Sequence, residues 1–140
     1  LSLHDALPIS RLRREGKDLT ILAYGTPVHF ALEAAETLAK EGVEVEVVDL
    51  RSLLPLDTET IFASVKKTHR VLVAHEDKVF GGFGGEVAAQ VSEACFPWLD
   101  APVGRVGSTF TPVGFNRILE RAVLPSTPKV LEAARRVLAF

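Results

Sequence analysis

The densest cluster of chemically suggestive residues is Gly81-Gly82-Phe83-Gly84-Gly85, which opens a helical pattern. Glycines permit positive φ, and the first turn of a helix presents free N–H groups that suit a phosphate or carboxylate. The stretch lacks the Gly-Lys-Ser/Thr ending of a P-loop. Val87 stands where a dinucleotide fingerprint needs its third glycine. A tight turn that lets backbone pack closely on a neighbour is therefore the favoured reading of this loop. His75 and Glu76 precede it, at the end of an apolar run. A histidine beside a carboxylate suggests acid–base work. Neighbours on a strand point to opposite faces, however, so the pair need not cooperate, and a contact role is preferred over catalysis.

Other chemistry is poorly supplied. His4, His29, His69 and His75 have no metal-ligand spacing, and Cys95 is the single cysteine. A zinc site and an internal disulfide are thus both unsupported. No Gly-x-Ser-x-Gly elbow offers an activated serine. Cys95 falls on the apolar face of a helical pattern and reads as an inert core thiol. Phe96 and Trp98 read either as interface anchors or as core.

The elements that would position these residues alternate. Leu19–Tyr24, Val43–Leu50, Arg70–His75 and Val103–Gly107 have the length and β-branching of strands. Helical spacing follows Thr26-Pro27, Asp57 and the glycine cluster, and again after Thr127-Pro128, with a shorter segment over Phe115–Val123. Thr26, Asp57 and Thr127 are the expected N-caps, and Gly42 is the expected left-handed stop of the first helix. The fold class is therefore α/β: three layers, a mostly parallel sheet, and helices on both faces.

Residues 19–140 form the domain, 11–18 a linker containing Arg11, Arg13 and Arg14, and 1–10 a non-native leader without a clear period. The chain has 140 residues, 16 basic and 18 acidic, and a formal net charge of −2. That balance leaves no footprint for nucleic acid or an anionic membrane, and no apolar run approaches the roughly 20 residues of a membrane span.

Three stretches, in order, carry a family resemblance. The first comprises Tyr24-Gly25-Thr26, Ala31-Leu32-Glu33-Ala34-Ala35, Val48-Asp49-Leu50-Arg51-Ser52-Leu53 and Pro55-Leu56-Asp57. The second comprises Val65-Lys66-Lys67-Thr68, His75-Glu76-Asp77 and Gly81-Gly82-Phe83-Gly84-Gly85-Glu86. The third runs from Leu99-Asp100-Ala101-Pro102-Val103 through Arg105-Val106 and Leu119-Glu120 to Leu124-Pro125. Together they resemble the transketolase C-terminal-like domain of beta subunits of thiamine-dependent 2-oxo acid dehydrogenases. The His-Glu-Asp and Gly-Gly-Phe-Gly pieces favour the branched-chain (2-oxoisovalerate) type over the pyruvate type. The segment Thr111–Asn116 departs from that type and fits relatives with fused alpha and beta chains equally well.

The resemblance implies a parent oxidoreductase, acting on oxo groups with a disulfide acceptor. It decarboxylates a 2-oxo acid with thiamine diphosphate and magnesium and passes the acyl group to a lipoyl arm. It implies that this domain alone binds neither cofactor and is inactive, and that it serves assembly and docking in a multienzyme complex. The implied partners are an alpha subunit, a second beta subunit and the lipoyl acyltransferase component. The implied compartment is the bacterial cytoplasm or the mitochondrial matrix. No catalytic, cofactor-binding or metal-binding residue is assigned. The interface is assigned to Arg51, His75, Glu76, Gly81, Gly82, Phe83 and Phe140, and the isolated chain is expected to self-associate. Two alternatives stand beside this reading: a stand-alone α/β interaction module, and the C-terminal domain of a transketolase or deoxyxylulose-phosphate synthase.

Overall fold

A computed structural model describes residues 9–140. Strands β1 (Arg11–Arg14), β2 (Leu19–Ala23), β3 (Val45–Asp49), β4 (Val71–Lys78) and β5 (Gly104–Ser108) form one sheet in the order β1-β3-β2-β4-β5. β2, β3, β4 and β5 run parallel, and β1 pairs antiparallel with β3. The helices are α1 (Pro27–Ala39), α2 (Thr58–Thr68), α3 (Phe83–Cys95), α4 (Arg117–Val123) and α5 (Thr127–Leu138).

Strand alternation divides the side chains between two cores. Leu19, Ile21, Ala23, Val45, Val47, Leu72 and Ala74 pack with apolar residues of α1 and α5. Leu22, Val48, Val71 and Val73 pack with Ile61 and Val65 of α2 and Val87, Val91 and Cys95 of α3. Both faces of β2 are covered, which explains why its sequence is apolar rather than alternating. The α2 face also carries a polar seam. Thr20 Oγ1 lies 2.7 Å from both Ser64 Oγ and Thr68 Oγ1, and Ser64 Oγ donates to Glu46 Oε2 at 2.6 Å. Lys67 pairs with the same buried carboxylate, so the charge brought into the core by β3 is compensated.

Asp57 caps α2 as expected, accepting from the Thr60 N–H at 3.2 Å. Gly42 adopts φ +82 while the Gly42 and Val43 N–H groups return to the carbonyls of Ala39 and Leu38, a Schellman closure of α1. Two expected caps are corrected. Thr26 has helical φ/ψ and its hydroxyl caps nothing, so α1 starts on Pro27 alone. The cap of α5 is Ser126, whose hydroxyl accepts from Lys129 N, and Thr127 instead donates to Glu33 Oε2.

The linker expectation for residues 11–18 is also corrected. Arg11–Arg14 is a sheet edge, with Arg13 and Arg14 facing Asp49 and Glu44 at 3.8 and 3.4 Å. Gly16 N–H donates to Glu46 Oε1, and Lys17 and Asp18 N–H donate to the Glu44 carbonyl. A segment with one apolar residue among three arginines gives little sequence signal, because an edge strand can place its polar side chains in solvent. The leader placed at residues 1–10 lies mostly outside the described residues. Ser10, however, is buried and bonded to Asp57 and Leu50.

Candidate functional site: the C-terminal edge of the sheet

Register places the strand ends in a row. Ala23 is level with Asp49 on one side and Ala74 on the other. One residue further, Tyr24 and His75 share the α3 face, with ring centroids 5.9 Å apart. Glu76 turns to the opposite face and is exposed, while His75 is wholly buried. The acid–base pair considered from sequence is therefore not assembled.

His75 acts as a post beneath the surface. Its Nδ1 lies 3.1 Å from the Asp77 carbonyl, an acceptor, so this nitrogen carries the proton. Its Nε2 is buried and has no hydrogen-bond partner. A Cβ built on Gly84 would stand 2.5 Å from His75 Cδ2 and closer still to Nε2; one on Gly107 would stand 2.8 Å from Nδ1. These glycines are needed for close approach. The His75 ring is enclosed between α3 and β5.

The turn before α3 has its own requirements. Gly81 takes φ +74, and a Cβ on Gly82 would strike the Lys78 carbonyl. Asp77 Oδ1 accepts from Lys78 N–H at 2.8 Å and Oδ2 from Phe83 N–H at 3.2 Å. Those two backbone bonds hold its carboxyl below the ordinary range. Burial, then the Asp77 charge, pushes the Tyr24 hydroxyl upward. The start of α3 is consequently occupied by the protein's own carboxylate. A diphosphate there would meet a like charge in place of free N–H groups, so these residues do not fit thiamine diphosphate. Among the described residues no cluster of three or more His, Cys, Asp or Glu could hold magnesium.

Six of the seven assigned residues gather at this edge: Arg51, His75, Glu76, Gly81, Gly82 and Phe83. Phe83 is half-buried against the α2–α3 core. Phe140 does not join them; it lies beside Pro102, Gly104 and Arg136, near the start of β5, in a depression of about 230 Å³. Phe80 and Phe110, 71% and 69% exposed, meet at the edge with centroids 4.8 Å apart and ring planes tilted by 55°. Sequence reasoning passed over them, although phenylalanine inside Val79-Phe80-Gly81 and Thr109-Phe110-Thr111 is an apolar residue in a turn setting. Phe96 and Trp98 are both exposed, and Lys66 Nζ sits 4.4 Å over the Trp98 ring.

Arg51 occupies a strained turn. Its φ is +60, and Ser52 N–H donates to the Leu50 carbonyl at 2.6 Å across it, the three-residue γ-turn that non-glycine residues avoid. Its own N–H donates to Asp49 Oδ1 at 3.2 Å. Positive φ costs an L-residue about 1–2 kcal/mol, and glycine's extra unfolded entropy offsets about 0.5–1 of that. Arg51→Gly should therefore raise stability by roughly 0.5–1 kcal/mol. Urea unfolding reads this directly, and a lowered midpoint would refute the strain.

The comparisons with known proteins agree with this geometry. The family model for the transketolase C-terminal domain matches residues 10–130. The beta subunit of the pyruvate dehydrogenase E1 component of Pisum sativum, described as mitochondrial, is 46% identical over 132 residues. That match covers 93% of this chain and 37% of the relative. The beta subunit of acetoin:2,6-dichlorophenolindophenol oxidoreductase of Cupriavidus necator is 44% identical over 125 residues, covering 89% of this chain and 37% of the relative. A solved split-gene transketolase, described as an inactive beta4 tetramer, superposes with a TM-score of 0.82 at 35% identity, covering 93% of this chain and 42% of that one. The chain spans little more than a third of the curated relatives it matches. With the family model spanning most of the sequence and the parallel sheet and its flanking helices matching a solved relative, the chain belongs to the transketolase C-terminal domain family.

Proposed function

We propose that this chain is the C-terminal domain of the beta subunit of a thiamine-dependent 2-oxo acid dehydrogenase, and that it works as an assembly surface for that enzyme. The observation that carries the reading is the Phe80–Phe110 pair, two exposed aromatics in tilted ring contact at the C-terminal edge of a parallel sheet. Large exposed apolar side chains grouped together mark interaction surfaces. The proposed partners are an alpha subunit, a second beta subunit and the lipoyl acyltransferase component. Thiamine diphosphate with magnesium belongs to the parent enzyme. No step is assigned to residues of this chain.

The relatives named for pyruvate and acetoin support a short substrate. They lend no support to the branched-chain preference. A physical reason is at hand: the residues that suggested it are used internally. His75 packs on Gly84, and Asp77 binds the start of α3, contacts that carry no information about the 2-oxo acid. The acetoin relative favours a second reading, in which the parent acts on a hydroxyketone. No helix among the described residues is long and apolar enough to cross a membrane. The bacterial cytoplasm or the mitochondrial matrix is proposed as the compartment.

Two measurements on the chain test the assembly reading. Calorimetric titration with thiamine diphosphate and magnesium should give no binding heat, whereas micromolar affinity would refute the absence of a cofactor site. Sedimentation over a range of concentrations should show association, and a monomer throughout would count against an assembly surface.

A further inference from the structure

Strand β5 closes the sheet on the side away from β1, and among the described residues no strand pairs with its outer side. An unpaired edge presents a row of backbone N–H and C=O groups. Just past the strand, the Thr109 N–H is taken by the Val123 carbonyl, so the free stretch ends at Ser108.

The helices leave the same strand open on both faces. Val103 packs with the α2–α3 core, and beside it lies a groove of about 800 Å³. Ala88, Ala89 and Ser92 of α3 form its wall, with Phe96 and Leu99. These α3 side chains are too small to reach across the edge. On the other face, the depression of about 230 Å³ beside Phe140 lies against Gly104, Ala133 and Val137. Arg105 borders both hollows. It is exposed, its Nη1 donates to the Val79 carbonyl at 2.9 Å, and it belongs to none of the ion pairs among the described residues.

These features select an occupant. A helix or a compact ligand fills one hollow and leaves the backbone edge unpaired. An extended segment continues the ladder, and its side chains alternate between the two faces. A residue opposite Val103 enters the α3 groove. The next, opposite Gly104, meets the α5 hollow. The one after, opposite Arg105, returns to the α3 face at the guanidinium. Two apolar residues followed by a carboxylate match that order, because directly opposed side chains on one face interact. A second copy of β5 does not fit: the strand reads Gly-Arg-Val-Gly-Ser and offers Arg105 no carboxylate.

We propose that the outer edge of β5 is a strand-addition site for an extended segment of a different polypeptide, carrying two adjacent apolar residues and then a carboxylate. The site lies along the start of β5, whereas the Phe80–Phe110 pair lies beyond its end, so it is a second surface, independent of the assembly reading.

Nuclear magnetic resonance titration of the 140-residue chain with the capped peptide Thr-Val-Leu-Glu-Leu-Val-Thr tests it. The peptide reads Val-Leu-Glu in both directions, which serves either strand polarity. Sub-millimolar binding is expected, with amide shifts centred on Val103–Ser108. Arg105→Gln should weaken it by about threefold to tenfold. Methyl groups on alternate peptide nitrogens separate strand addition from side-chain capture, and they act on the unaltered chain. In one phase they face β5 and should cost at least about tenfold. In the other phase they face away and should leave binding unchanged. No binding at millimolar peptide, shifts that gather at Phe80 and Phe110, or equal binding by both methylated forms overturns the proposal. Self-association of Arg105→Gln, read by sedimentation, should match the parent, so this site and the assembly reading fail separately.

Discussion

Gly84→Ala is expected to destabilise the domain by up to about 2 kcal/mol, against the usual sign for such a change. Inside a helix, alanine is ordinarily favoured over glycine by about 1 kcal/mol. Gly84 lies in the first turn of α3, is buried, and faces the His75 ring at sub-van-der-Waals distance for any Cβ. The added methyl must displace α3 or push His75 out of its bond to the Asp77 carbonyl. Overpacking a filled site costs about 1–3 kcal/mol, and here the helix-propensity gain offsets only part of it. Moving α3 would also strain the Phe83 N–H bond to Asp77. The decisive comparison is a double variant. His75→Ala removes the atoms that meet the new methyl, so H75A/G84A should be less destabilised than the sum of the single changes by about 1 kcal/mol or more. Urea unfolding of the four proteins measures this. A Gly84→Ala chain as stable as the parent, or strict additivity, would show that the glycine is not required by the histidine.

That contact also marks where sequence reasoning stopped. The glycine cluster is legible as a close-packing device, since its motif matches fail. What it packs against is not legible, because His75 and Gly84 meet only after β4 and α3 are aligned across the sheet. The strands β2, β3 and β4 are legible because burial on one or both faces leaves a run of Val, Ile and Leu at strand length. β1 is not, since an edge strand needs no such run and Arg11, Arg13 and Arg14 find solvent or the carboxylates of β3. Asp57 and Gly42 were recoverable from local chemistry: a carboxylate three residues from an N–H, and a residue free to take positive φ. Ser126 displaced Thr127 by one position, within the uncertainty of any helix start.

Asp57 offers the second large effect, and it joins local and long-range structure in one side chain. Its Oδ1 accepts from Thr60 N–H, while its Oδ2 accepts from the Thr60 hydroxyl at 2.8 Å and from Ser10 N–H at 3.0 Å, 47 residues away. Asp57→Ala should cost about 2–4 kcal/mol at neutral pH. Loss of the cap accounts for about 0.5–2, and the buried Ser10 N–H left without an acceptor accounts for about 1–3. The acid dependence follows from the charge. Burial acts to raise this carboxyl, but the Thr60 hydroxyl and the Ser10 and Thr60 N–H bonds outweigh it and hold the group below the ordinary range. In the unfolded chain it titrates near the usual value of about 3.9. The ionised form therefore contributes stability that is fully present above about pH 4 to 5 and is lost as pH falls through the lowered folded value. Asp57→Asn retains a capping oxygen, so it should cost less than alanine at pH 7. Its amide lacks the second acceptor, so one partner of Oδ2 goes unmet. The stability gap between the parent and Asp57→Asn should stay constant from pH 7 to about 5 and then narrow toward pH 2. A gap that keeps its size through the acid range would assign the effect to shape alone and remove the carboxylate's charge from the account of how the chain start is fastened to α2.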